Sequence, residues 1–134
     1  MIVVDASAIL ELLLAATAAP DIENRLLGTL ESLHAPHLLD LEVAQVLRRY
    51  VSAGELTPQR GRQALDDLGE LPIIRYPHNL FLSRIWALRH NVTAYDAAYL
   101  ALAESLPAPL VTCDAHLASA PGHRVTIELV QTSR

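Results

Sequence analysis

The stretch Ile2-Val3-Val4-Asp5-Ala6-Ser7-Ala8-Ile9-Leu10-Glu11-Leu12-Leu13 changes its hydrophobic period partway along, and that change decides the fold class. Ile2 to Val4 form a continuous apolar run, the pattern of a strand buried on both faces. Beyond it Ala8, Ile9, Leu12 and Leu13 recur at helical spacing, with Asp5 and Ser7 at the junction. A strand that passes directly into a helix opens a βα unit, and a chain of such units builds an α/β fold.

The rest of the chain keeps the alternation. A second helix is expected from about Asp21 to Ser32, with Pro20 and Asp21 in its first turn. His34 to Leu38 reads as a second strand whose Pro36 suggests an imperfect or edge position. Asp40 is placed to cap a third helix, in which Val43, Val46, Leu47, Tyr50 and Val51 make one apolar stripe before Gly54 ends it. That leaves Glu42, Gln45 and Arg49 on other faces. Thr57 and Pro58 read as N-cap and first residue of a polar helix running to about Glu70. Pro72 to Tyr76 gives a strand, Leu80 to Arg89 a helix, and Thr93 opens a helix apolar almost all round from Ala94 to Ala103 apart from Asp96. Leu110 to Cys113 forms a buried strand ending at Asp114. A short helical turn, Pro121-Gly122 and a last strand from Arg124 to Val130 complete the chain.

Composition narrows the function classes. With 134 residues, 51% of them hydrophobic, the chain fits one domain over 1–134. The net charge of −5 argues against nucleic-acid binding through a broad basic surface but leaves room for local patches. All ten basic side chains are arginine, a rigid fork of donors suited to phosphate, and Arg48, Arg49, Arg60, Arg62, Arg84 and Arg89 fall in expected helices. One cysteine, Cys113, excludes an internal disulfide, and no stretch reads as a secretory signal or a membrane span, so a soluble cytoplasmic protein is expected. A mean hydropathy of +0.26 suggests that some apolar helix surface is covered by another chain.

Four acids stand out by position. Asp5, Glu42, Asp96 and Asp114 each lie at the start of an expected helix. Each has a local structural role open to it. Asp5 and Asp114 suit N-caps, Glu42 gains from the helix dipole, and Thr93-Ala94-Tyr95-Asp96 has capping-box spacing. In an open α/β sheet, however, ligands gather beyond the carboxyl ends of the strands, and acids at those points converge. Crowded carboxylates raise one another's pKa unless a cation compensates, and hard oxygen ligands favour Mg²⁺ or Mn²⁺.

Val3-Val4-Asp5-Ala6-Ser7, Leu39-Asp40-Leu41-Glu42-Val43-Ala44-Gln45-Val46-Leu47-Arg48-Arg49, Thr93-Ala94-Tyr95-Asp96-Ala97-Ala98-Tyr99 and Leu110-Val111-Thr112-Cys113-Asp114, in that order, resemble a PIN domain. The chain is most similar to the toxin ribonucleases of VapBC toxin-antitoxin pairs. The resemblance implies a three-layer α/β/α fold with a central, mainly parallel sheet. It also implies a metal-dependent endoribonuclease, with Asp5, Glu42, Asp96 and Asp114 as the catalytic, metal-holding acids and Ser7 and Thr112 as supporting hydroxyls. Asp5 and Asp96 are expected to ligate directly, Glu42 and Asp114 through water or in activating the nucleophile. Implied partners are an RNA substrate, a homodimer mate and a VapB-like antitoxin, whose arginine-bearing tail would occupy the acidic groove.

Other residues carry less. Asp40 reads as a cap rather than a fifth ligand. His34 and His37 flank Pro36 in poor ligand geometry, His116 near the site reads as an exposed helix residue, and Cys113 as a small strand residue. A receiver-type signalling domain requires a lysine, which this chain lacks, and a haloacid-dehalogenase-like phosphatase requires a second acid where Ser7 stands. The remaining rival is a catalytically silent PIN-like domain that binds protein or RNA.

Overall fold

β1 (Ile2–Val4) is wholly excluded from solvent at the centre of a five-stranded sheet in the computed structural model, which describes residues 1–132. Positions 133 and 134, the end of the expected domain, lie outside the described residues. With three apolar side chains and parallel neighbours on both sides, β1 needs cover on both faces, which is why its sequence does not alternate. β2 (Leu33–Pro36) and β4 (Leu110–Thr112) pair with it, β3 (Ile73–Tyr76) lies outside β2, and β5 (Ile127–Leu129) outside β4. The order β3-β2-β1-β4-β5 is parallel throughout. From β1 the chain builds outward through β2 to β3 and then returns to the other side of β1, so the strand order reverses between β1 and β4. Crevices at the carboxyl ends of strands open at such a reversal.

The helices divide into two layers. α1 (Ala6–Leu13), α2 (Ala19–Leu27), α3 (Leu38–Ser52) and α4 (Pro58–Glu70) pack with one another, α1 against β4 and α3 against β2. α5 (Leu82–Ala87) packs on α6 (Ala94–Ser105), which covers β1, β2 and β4. α6 is buried on every residue from Ala97 to Ala103, as its all-round apolar sequence requires. A four-residue turn, α7 (Ala115–Ala118), follows β4. Among the described residues no helix is long and apolar enough to cross a membrane.

Several local signals hold. Thr57 Oγ1 accepts from the Arg60 N–H with Pro58 in the first turn of α4, and Gly54, at φ 78°, ends α3 in the left-handed conformation that glycine adopts without strain. Others are corrected. Pro36 does not mark an edge, because β2 is an interior strand. His37 donates its N–H to the Tyr76 carbonyl, so the proline nitrogen one residue earlier faces β1, whose pairing with β2 covers only Leu33 and His34. α2 stops at Leu27, ahead of the expected Ser32, because Gly28 caps it. The expected Leu80–Arg89 helix is a 3₁₀ turn, His78–Phe81, followed by the shorter α5. The last strand is only Ile127–Leu129, and the buried face of α3 is Leu39, Val43 and Leu47, with Val46, Tyr50 and Val51 partly exposed.

Asp40 caps nothing. α3 begins at Leu38, and the Asp40 carboxylate instead receives both Arg75 Nε (2.7 Å) and Nη2 (2.8 Å), joining α3 to β3. A fork-to-fork pair of this kind is a stronger use of the carboxylate than one backbone N–H.

Candidate active site

Asp5 follows β1 directly, and Asp114 follows Thr112 at the end of β4, so the strand reversal sets them side by side. Glu42 enters from the start of α3, just after β2. Asp96 arrives from the other layer, because α6 runs back along the sheet and its first turn lies at the same carboxyl edge. Four elements that share one end of one sheet thus deliver the four acids.

Asp5 is the best-fixed of them. Its carboxylate is buried and its oxygens accept from Ser7 Oγ (2.7 Å), the Ala8 N–H (3.1 Å) and Thr112 Oγ1 (2.5 Å). Ser7 in turn accepts from the Cys113 N–H (2.8 Å), and Thr112 from the Asp114 N–H (2.9 Å). Each hydroxyl has a single proton, and both protons are directed at Asp5, so the 3.2 Å approach of Ser7 to Thr112 is a packing contact. Ser7 and Thr112 therefore tie the end of β4 to the end of β1 through one carboxylate.

Glu42 is half-buried, and its Oε1 accepts from the phenol of Tyr99 at 2.6 Å. Tyr99 itself is almost fully buried in α6, and burial together with the charge of Glu42 keeps its hydroxyl protonated. Asp96 uses its backbone N–H to satisfy Thr93 Oγ1 (3.1 Å), which is half of a capping box. Its carboxylate accepts no hydrogen bond from the described residues. Asp114 does cap α7, accepting from the N–H groups of His116 (2.9 Å) and Leu117 (3.4 Å).

The acids act on one another. Burial raises the Asp5 carboxyl above its ordinary value despite its three hydrogen bonds, and the charge of Asp114 adds to the rise. Burial also raises Glu42, opposed by the Tyr99 bond and reinforced by Asp96 and Asp5. Asp96 is raised by burial and then by Asp114, with His116 pulling the other way. These couplings link all four acids. Burial and the neighbouring Asp5 and Glu11 push the Cys113 thiol up to about 12, which keeps it protonated and unreactive.

The donor set is carboxylate and hydroxyl oxygen, which suits a hard divalent cation. Among the described residues no three histidine, cysteine or acidic side chains stand close enough to form a ready-made cage. A larger recess of about 480 Å³, beside Glu104, Pro107 and Arg124, lies at the amino ends of β4 and β5 and touches none of the four acids.

Of the other expected residues, His116 is exposed beside the site, and His34 is turned away from it. Its Nε2 is 2.7 Å from Ser32 Oγ and its Nδ1 2.7 Å from the Tyr76 hydroxyl, so both nitrogens are occupied. Sequence reasoning missed Tyr99. The available signal was a lone polar atom in the stretch Ala97 to Ala103, otherwise alanine and leucine, three residues after Asp96, because a buried phenol requires a partner.

The sequence model of the PIN domain family matches residues 2–122, and the chain belongs to that family. It is 46% identical over 130 residues to Ribonuclease VapC1 of Mycobacterium tuberculosis, covering 96% of this chain and 97% of that one. It is 42% identical over 130 residues to Ribonuclease VapC12 of the same organism, covering 97% and 99%. Among solved structures it superposes on VapBC2 from Rickettsia felis, bound to a DNA fragment from its promoter, with a TM-score of 0.68 and 12% identity over 97% of this chain and 99% of that chain.

Proposed function

We propose that this chain is a divalent-metal-dependent endoribonuclease, the toxin of a type II toxin-antitoxin pair, and that Asp5, Glu42, Asp96 and Asp114 are its catalytic acids. The observation that carries the site assignment is the mutual coupling of four acids, delivered by four elements to one edge of the sheet. The family match and the similarity to two ribonucleases over nearly the whole chain support the reaction class.

Mg²⁺ or Mn²⁺ is the proposed ion, held by Asp5 and Asp96, with Glu42 and Asp114 acting through water. Such an ion offsets charge on the phosphodiester and eases ionisation of water. The chain's own side chains do the rest. Ser7 and Thr112 hold Asp5 in one orientation. Tyr99 occupies Glu42 Oε1, and the role assigned to the remaining oxygen, Oε2, is to take a proton from the attacking water. Water oxygen bonds to phosphorus as the bond to the 3′ oxygen breaks; the 3′ oxygen leaves with the bonding pair and takes a proton from solvent, giving a 3′ hydroxyl and a 5′ phosphate.

A VapB-like antitoxin is the proposed inhibitor, in line with the likeness to VapC1, VapC12 and the VapBC2 toxin-antitoxin structure. A homodimer is proposed too, because Leu80, Leu82 and Trp86 expose large apolar surfaces on adjoining turns.

The test is cleavage of total cellular RNA by purified protein with Mg²⁺, with Mn²⁺ and with chelator, beside an identically prepared Asp96→Asn variant. Metal-dependent cutting by the parent and none by the variant is expected. Equal cutting by both would reject the site assignment, and no cutting by either would favour a silent binding module.

A further inference from the structure

Glu42, Val46 and Arg49 follow at i, i+4 and i+7 along α3 and form a ridge shared by two open clefts. One, of about 360 Å³, includes Ser7, Glu11 and Cys113. The other, of about 370 Å³, includes Leu41, Gln45 and Tyr95. Both are therefore continuous with the acidic site through Glu42, and Arg49 lines both.

Most other arginines are committed elsewhere. Arg25 binds Glu128 and Glu31, Arg62 binds Asp66, Arg75 binds Asp40, and Arg84 binds Glu104. Arg60 donates to the Leu13 carbonyl, and Arg89 lies over the Trp86 ring at 4.7 Å. Among the described residues the Arg49 guanidinium is exposed and makes no ion pair or hydrogen bond. Arg48 and Arg124 are also free of ion pairs, but Arg48 faces the groove between α3 and α4 and Arg124 the recess at the opposite end of the sheet. Arg49 is thus the free fork beside the acids. The second cleft is also lined by Tyr95, the residue before Asp96, with 60% of its surface exposed. An unpaired guanidinium and an exposed aromatic ring that line one cleft together with Glu42 match single-stranded nucleic acid, whose phosphates bind forks of donors and whose bases stack.

We propose that Arg49 and Tyr95 seat single-stranded RNA across the acidic site, Arg49 gripping a phosphate next to the scissile one and Tyr95 stacking on an adjacent base. This rests on the ribonuclease reading above. It also resolves the conflict of an acidic protein that must hold a polyanion. One local cation, set where the chain must pass, supplies the grip without a basic surface.

Binding decides it independently of turnover. A fluorescein-labelled single-stranded RNA cut by the parent, or a mixed-sequence 12-mer if none is found, is titrated by anisotropy against the Asp96→Asn protein at several salt concentrations. The same protein carrying Arg49→Ala, Arg49→Lys, Tyr95→Ala or Tyr95→Phe is titrated alongside. Arg49→Ala is expected to weaken binding about tenfold and to lower the slope of log affinity against log salt by about 0.7, with Arg49→Lys restoring the slope. Tyr95→Ala is expected to weaken it at least fivefold while Tyr95→Phe is neutral, because the ring and not the hydroxyl stacks. In otherwise native protein Arg49→Ala raises KM and leaves kcat within about twofold. Unchanged affinity and salt slope in both alanine variants would overturn the proposal. So would unchanged RNA binding with weakened self-association in sedimentation, which would give the cleft to a protein partner. Absence of cleavage by the parent alongside these binding losses would reject the ribonuclease reading and leave the seat in place.

Discussion

Tyr99 illustrates how a single buried atom positions a neighbouring one. Its phenol spends its proton on Glu42 Oε1, so the glutamate keeps one free oxygen and a fixed direction. Tyr99→Phe removes the hydroxyl and leaves the ring packing. Stability is expected to fall by about 1 kcal/mol, and RNA cleavage by roughly 10- to 100-fold, the usual range for losing a group that orients a metal-site acid. Thermal melting and initial cleavage rates check both, and wild-type cleavage by the variant would mean that Glu42 needs no such support.

Among the elements, α5 and α6 are joined by one strong pair. Arg84 donates Nε (2.7 Å) and Nη2 (3.0 Å) to Glu104, which also accepts from the Arg124 N–H (3.0 Å). The Glu104 side chain is only 9% exposed and the Arg84 side chain 34%, so the pair is screened less than a fully exposed bridge. Glu104→Gln is expected to cost about 2 kcal/mol at pH 7 in urea denaturation. The hydrogen bond from Arg84 holds the Glu104 carboxyl below its ordinary value of 4.5. A depressed acid contributes stability that is complete above its unfolded value and is lost as pH falls through its folded one. The parent should therefore shed this increment below about pH 4.5, and the difference between parent and variant should shrink there.

On the scale of the whole molecule, the sheet edge that gathers the acids works against folding. Burial and mutual repulsion raise three of the four carboxyls, so each is harder to ionise folded than unfolded, and at neutral pH they oppose folding. Mg²⁺ is expected to stabilise the parent by about 2.7 kcal/mol at a hundredfold excess over its Kd. Asp96→Asn, which removes one repelling charge, should melt higher than the parent in chelator and gain less from Mg²⁺. Calorimetry of both proteins in each condition checks this, and an equal gain from Mg²⁺ in both would place the ion away from Asp96.

The sequence by itself determined the alternation of strands and helices, the buried character of β1 and α6, the caps at Thr57 and Thr93, and the four acids at helix starts, of which Asp5 and Asp114 were open to capping. All of these depend on near neighbours, since period, capping and turn chemistry act over a few residues. Tertiary structure alone decided that Pro36 lies in an interior strand, that Asp40 serves Arg75, that His34 is locked between Ser32 and Tyr76, that Tyr99 supports Glu42, and which arginine stays free beside the site. Each of those facts is a meeting of side chains brought together by strand order and helix packing. A side chain's hydrogen-bond partner is chosen by whatever the fold places within about 3 Å of it, and local pattern carries no record of that choice.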